Sequence, residues 1–291
     1  MAVTASLIKE LRERTGAGMM DCRKALEANN GNIEAAIEEM RKSGQAKAAK
    51  KAGRVAAEGI LAIKSRGNQT VMVEVNCETD FVAREDSFKQ FADAVAESAL
   101  KQKSDTVEQL QNADFGDHKT VDQARTTLIA KIGENIQLRR IKYIETENNL
   151  GRYVHGAGRI AALVEIEGGD GELAKNIAMH ITAMNPQAIN ADDVPAALLD
   201  KEKEIFSAQA QQSGKPAEII EKMVAGRLKK FINEISLEGQ SFIREPDKTV
   251  GQLLKEQQAT VKQFFRFEVG EGIEKETSNF ADEVKAAVQG N

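Results

Sequence analysis

Few side chains in this 291-residue chain suit covalent or metal chemistry, and they lie far apart. The histidines are His118, His155 and His180, and the cysteines are Cys22 and Cys77. A thiol nucleophile or a zinc site needs a base or further ligands at short, regular spacing, as in CxxC or HExxH. Neither run occurs, and GxSxG and the GxxxxGK[ST] phosphate loop are also missing. Two cysteines 55 positions apart make no disulfide framework, which predicts a reduced, cytoplasmic setting. No catalytic residue, metal ligand or cofactor is assigned, and the chain does not read as an enzyme. The chemistry that remains is recognition. Thr79-Asp80-Phe81-Val82 sets a carboxylate beside a large aromatic. On an exposed turn, the ring suits a partner's pocket while the carboxylate competes for cations or donors. The bland alternative makes Thr79 a helix cap and Phe81 core. One Asp is too little for a metal. Met19 and Met20 read either as core of a small helical unit or as an adaptable contact patch. His155, next to Gly156, shows no acid-base partner and reads as a surface or structural residue.

The elements that must hold these residues follow from periodicity. From Thr4 to Gly44 the pattern predicts three short helices: Leu7, Ile8 and Leu11 behind a Thr4 or Ser6 cap, Cys22, Ala25 and Leu26 behind an Asp21 cap, and Ile33, Ala36, Ile37 and Met40 up to a stop at Gly44. Arg41 to Arg54 carries six basic and no acidic residues and reads as a solvated, partly helical linker, with a nucleic-acid contact as the competing reading. It has no interleaved aromatics to stack bases, so direct nucleic-acid binding is not expected. Residues 1–54 hold 11 basic and 7 acidic side chains, so the chain's net charge of −5 conceals a basic leading module on an acidic body.

The middle of the chain repeats itself. Gly59 to Val75 reads as two strands around Gly67-Asn68, followed by a helix on Phe88, Phe91, Ala92, Val95 and Ala99. Gly151 to Ile166 repeats the hairpin, and Leu173, Ala174, Ile177, Ala178 and Ile181 repeat the helix. From Val75 to Phe91 is 16 residues and from Ile166 to Ile177 is 11, so the first copy holds five extra, within Asn76 to Asp86. Asp86 or Ser87 can cap the Phe88 helix unaided, which leaves the insertion free for another task. Val194 to Ile235 then reads as a protruding helical hairpin broken at Ser213-Gly214-Lys215-Pro216. Phe265, Phe267 and Val269 alternate as in a strand, and Phe280, Val284 and Val288 mark a final helix. No apolar stretch reaches signal-peptide or membrane-spanning length, so no membrane contact is expected.

Two long stretches carry a resemblance. Leu11 to Leu26, with Thr15-Gly16-Ala17-Gly18-Met19-Met20-Asp21, and Glu74 to Arg84, with Cys77-Glu78-Thr79-Asp80-Phe81-Val82, closely resemble the hallmarks of the bacterial elongation factor Ts family. Lys131-Ile132-Gly133-Glu134-Asn135-Ile136 and Arg266 to Glu274 are similar to that family too, and the likeness covers essentially the whole chain. It implies an α+β fold with four parts. Residues 1–54 form an N-terminal three-helix ubiquitin-associated-like bundle and basic linker. A duplicated α/β core with antiparallel sheets follows, divided into 55–140 and 141–274. The second half carries a protruding coiled-coil hairpin at 187–231, and 275–291 form a C-terminal helical module. It also implies a guanine-nucleotide exchange factor for elongation factor Tu, in its GDP-bound and nucleotide-free forms, and allows a higher-order complex of two such pairs. Carried over, Thr79, Asp80, Phe81 and Val82 would wedge beside the partner's magnesium site. Arg12, Met19 and Met20 would hold the same domain, and His155 with Gly156 would touch another. The competing function is a non-catalytic RNA- or ribosome-associated protein using residues 41–54.

Overall fold

The computed structural model describes residues 3–15, 17–116 and 119–274. The expected helix of Phe280, Val284 and Val288, the 275–291 module, His118 and Gly16 lie outside the described residues. The fold is α+β, divided into two units: one of residues up to Lys64, Val71–Tyr143 and from Val269 on, the other of Ser65–Thr70 and Ile144–Glu268.

The first unit begins with α1 (Ala5–Thr15), α2 (Met19–Ala28) and α3 (Ile33–Lys51), which bury Leu11, Cys22, Ala25, Leu26 and Ala36 in a small core. Thr4 accepts the Leu7 N–H at the start of α1. Two expectations fail here. Asp21 lies inside the first turn of α2 rather than capping it, and Gly18 stands at the cap without a side-chain bond. Nor does α3 stop at Gly44. Gly44 is buried, and a Cβ there would sit 3.6 Å from Ala130, so the glycine serves helix packing and the helix runs on to Lys51 through most of the expected linker.

The β1 (Glu58–Arg66) and β2 (Gln69–Cys77) hairpin turns at Gly67-Asn68. There follow α4 (Asp80–Arg84), α5 (Asp86–Gln102), α6 (Val107–Asn112), β3 (Asp114–Gly116), β4 (Lys119–Thr120), α7 (Val121–Ile132) and β5 (Gln137–Glu145). The sheet order is β1-β2-β5, so β2 is central, and every residue from Thr70 to Cys77 is buried. Phe88, Phe91, Ala92, Val95 and Ala99 of α5 pack on it, as their spacing predicts.

The second unit contains β6 (Asn149–His155), β7 (Ile160–Glu167), α8 (Gly171–Met184), α9 (Ala196–Gln211), α10 (Ala217–Ile235), β8 (Ser241–Phe242), β9 (Glu245–Thr249), α11 (Val250–Glu256) and β10 (Thr260–Glu268). Its sheet order is β10-β7-β6, antiparallel throughout, with β7 central and Ala161–Ile166 buried. Gly151 lets α8 lie against β6, because a Cβ there would fall 2.0 Å from the Ala174 carbonyl oxygen. The α9 and α10 helices run antiparallel: Phe206 meets Phe231 edge to face at 6.3 Å, and Arg227 donates to Gln209 at 2.9 Å.

The duplication is longer than hairpin plus helix. In each copy a two-stranded ladder, β3-β4 or β8-β9, leads into a helix, α7 or α11, opened by a Thr-to-Gln capping box, and then into the third strand of the sheet. Each central strand also buries a carboxylate at the matching position. Glu74 accepts from Arg139 at 3.0 Å, from the Gly270 N–H at 2.9 Å and from Arg140. Glu165 accepts from Thr146 at 2.6 Å, Asn148 at 2.7 Å and Gln263 at 2.6 Å. Burial alone would raise the Glu165 carboxyl, but these donors and Lys262 outweigh it and hold it below its ordinary value. His180, wholly buried, accepts the Ile243 N–H at Nδ1 (3.2 Å) and meets Gln240 Oε1 through Nε2 (3.0 Å), an arrangement that suits the neutral ring protonated at Nε2. Burial pushes its pKa down, opposed by the bond to Gln240.

Candidate functional site

The inserted segment of the first copy becomes a bent, two-step entry into α5. At the end of β2, Cys77 Sγ donates to the Thr79 carbonyl at 3.2 Å. Thr79 is extended and caps α4, its hydroxyl oxygen accepting the Val82 N–H at 3.3 Å. One turn later Glu85 returns to extended backbone, its N–H donating to the Val82 carbonyl at 3.0 Å, and α5 begins. Asp86 and Ser87 do not cap that helix; Asp86 is its first residue, and the Ser87 hydroxyl donates to Glu85 at 2.8 Å.

A helix of five residues can turn only one narrow face to the core. Val82 and Ala83 take that face and are buried. Phe81 is therefore turned outward and stands 79% exposed, which overturns its reading as core. Asp80, beside it, pairs with Arg84 at 2.8 Å. Met19 and Met20, in the first turn of α2, are 60% and 62% exposed, so they too are surface rather than core. Arg12 is exposed on α1. In the second unit, His155 ends edge strand β6, exposed, its ring stacked on Tyr153 at 6.4 Å. Its carbonyl accepts the Arg159 N–H at 3.0 Å, closing a turn in which Gly156 has a φ of 61°. The structure thus gathers Thr79, Asp80, Phe81 and Val82 in one turn and puts Arg12, Met19 and Met20 on the leading helices of the same unit. His155 and Gly156 belong to the other unit.

Sequence reasoning missed what holds the turn. Glu134 comes from just beyond α7, 55 residues away along the chain. Its Oε2 accepts the Glu78 N–H at 3.1 Å and the Thr79 N–H at 3.0 Å, and its Oε1 accepts the Thr79 hydroxyl at 2.6 Å. In return Glu78 accepts the Asn135 N–H at 2.6 Å, and Arg54 lies 3.5 Å from the same Glu78 carboxylate. The Glu134 turn is itself anchored. Gly133 takes a φ of 91°, Ile136 is buried, Asn135 donates to the Arg54 carbonyl at 2.7 Å, and Lys51 donates to the Gly133 carbonyl. Two cations of the basic 41–54 run are thereby engaged within the chain. The advance sign of Glu134 was its place in the Lys131–Ile136 stretch that is similar to the family, which gave it no role.

Burial, reinforced by Glu134 and Glu58, pushes the Cys77 thiol up to about 12, so it is protonated and unreactive at neutral pH. Among the described residues no group of three or more His, Cys, Asp or Glu could hold a metal ion, and no helix is long and apolar enough to cross a membrane. The site offers a rigid backbone turn that displays one aromatic ring and one carboxylate.

Comparison with known proteins agrees in extent and in name. The family model described as Elongation factor TS matches residues 78–271. A relative from Idiomarina loihiensis, named Elongation factor Ts, is 56% identical over 288 residues, covering 99% of this chain and 98% of its own. Those from Thioalkalivibrio sulfidiphilus, 56% identical over 294 residues and 100% of both chains, and Methylococcus capsulatus, 55% identical over 292 residues and 99% of both, carry the same name.

Proposed function

Since this chain belongs to the elongation factor Ts family, we propose that it is a guanine-nucleotide exchange factor for elongation factor Tu, working in the cytoplasm. It binds the GDP-bound partner, disturbs the magnesium and phosphate site through the Thr79–Val82 turn, and stays on the nucleotide-free form until GTP enters. The observation that carries this reading is Phe81, 79% exposed on a turn whose backbone is tied down. A ring so placed stabilises the free protein little and is ready for a pocket in another.

Exchange of this kind is linkage rather than covalent catalysis. A factor that binds the nucleotide-free partner more tightly than the GDP form must be weakened by GDP in equal measure. A shift of about 10⁴ needs a differential of roughly 5.5 kcal/mol, more than one side chain supplies. The work is therefore shared. Arg12, Met19 and Met20 hold the partner's nucleotide domain, and His155 with Gly156 meet a different domain. Phe81 and Asp80 act where the metal and phosphates sit. Loss of the metal removes a large positive charge from the GDP phosphates, and release accelerates. Two factor–partner pairs joined in one larger complex are compatible with this scheme. RNA binding through residues 41–54 gains no support, because Lys51 and Arg54 already serve the Glu78–Glu134 turn.

The test is release of labelled GDP from elongation factor Tu with catalytic amounts of this protein. Acceleration is expected; an unchanged rate overturns the function, and wild-type rates from Asp80→Ala combined with Phe81→Ala overturn the wedge.

A further inference from the structure

We infer that Glu134 is the positioning residue of the exchange turn: its carboxylate fixes the backbone at Glu78 and Thr79 and so sets the direction in which Phe81 and Asp80 are presented. This rests on the exchange reading above and adds to it a residue outside the turn.

The two copies enter their helices differently. In the second copy, β7 passes to α8 through two glycines of positive φ, Gly168 and Gly169, and Asp170 caps α8 from within, accepting the Leu173 N–H at 2.8 Å. A neutral amide helps from outside: Asn149 Nδ2 donates to the Gly168 and Gly169 carbonyls at 3.1 and 3.2 Å. In the first copy the route is longer, and Glu85 at the start of α5 makes no side-chain cap bond. The extra turn supplies no side-chain cap to the helix that follows it. It nevertheless donates three hydrogen bonds to one distant carboxylate, two from backbone N–H groups and one from the Thr79 hydroxyl. Bonds to an ionised acceptor are the stronger kind, and three on a single residue pair leave that pair little freedom.

Those bonds lie at the root of the display. Thr79 is the cap of α4, so the direction of its backbone sets the axis of a five-residue helix. On that helix Val82 and Ala83 face inward and Phe81 outward. A small rotation at Thr79 would leave the core contacts adjustable but swing the exposed ring. Glu134 can act as a reference point because its own turn is pinned through Gly133, Asn135 and Ile136. Arg125 donates to the Ile136 carbonyl at 2.8 Å, and Asn135 closes the reciprocal bond to Glu78.

The test compares Glu134→Ala, Glu134→Gln and Phe81→Ala in the full chain. The first arm needs no partner. Amide hydrogen exchange at Glu78 and Thr79 should rise at least about tenfold in Glu134→Ala, the equivalent of one lost charge-assisted bond, with α5 unchanged. Glu134→Gln keeps one carbonyl acceptor for the two amides and should fall between. The second arm is GDP release from elongation factor Tu. Glu134→Ala should lower the maximal rate about tenfold while the half-saturating concentration stays near wild type, and Glu134→Gln should restore part of it. In the Phe81→Ala background the Glu134→Ala loss should largely vanish, since both changes remove the same presented ring.

Unchanged amide exchange overturns the clamp, as does faster exchange spread through α5. Losses that add in full in the double variant overturn positioning, because Glu134 would then act on the partner by itself. Wild-type protein that releases no GDP overturns the exchange reading and the role built on it, while the amide arm separately reports whether Glu134 holds the turn.

Discussion

Phe81→Ala separates display from stability, and the structure sets the size of both effects. With the residue 79% exposed, only about a fifth of it is removed from water in the free protein. Full burial of a Phe side chain contributes about 1.5–3 kcal/mol, so truncation here should cost roughly 0.3–0.6 kcal/mol. Seven residues on, Phe88 is fully buried in the same core, and Phe88→Ala should cost about 3–5 kcal/mol. In the complex the order reverses. A ring seated in a desolvated pocket contributes about 2 kcal/mol or more, which is roughly 30-fold in release of GDP at subsaturating factor. Guanidinium unfolding of the free variants measures the first pair of numbers, and stopped-flow release of labelled GDP measures the last. Phe81→Ala should keep its unfolding midpoint near wild type and lose most exchange activity. A stability loss above about 1.5 kcal/mol would mean that the ring is buried in solution, and the reasoning would fail at its first step.

Four further outcomes follow from the same geometry. His180 is held neutral in the fold below the ordinary histidine value, so the unfolded chain binds the proton first; stability is fully present above about pH 6.5 and falls as the pH drops below it. Urea midpoints at pH 7.5 and 5.5 should diverge less in His180→Gln than in wild type, and equal divergence would refute the assignment. Gly151→Ala would drive a Cβ to 2.0 Å from the Ala174 carbonyl oxygen and should cost about 3 kcal/mol. Gly226→Ala in α10 meets nothing within 4 Å and should raise stability by about 0.8 kcal/mol, both read by thermal unfolding. Cys77, raised from 9.0 to about 12, should be alkylated about a thousandfold more slowly than an unperturbed thiol at pH 8, and peptide mapping after labelling distinguishes it from Cys22.

How far the sequence could be read depended on whether the information was local. The hairpin turn at Gly67-Asn68 and the apolar face of α5 are properties of a few adjacent residues, and they emerge in the structure where the pattern puts them. Gly44 misleads because a glycine that ends a helix and one that lets a second helix approach are identical in sequence; Ala130, 86 positions away, decides between them. One long-range signal is legible in the sequence. Lys-Thr-Val-x-Gln stands at Lys119–Gln123 and again at Lys248–Gln252, in each copy the capping box of the helix before the third strand. Between Val73 and Val164 the copies are offset by 91, and between these boxes by 129, the difference reflecting the α9–α10 hairpin carried by the second copy. Aligned by their strands, the two copies differ at that hairpin, at the Thr79 turn and in the helix before the third strand, which is twelve residues long in α7 and seven in α11. A duplicated core supplies the same packing twice, so a segment present once contributes little that packing requires. Glu134 could not be found this way. Its role exists only where the chain beyond α7 returns to the end of β2, and three hydrogen bonds across 55 residues leave no periodicity to read.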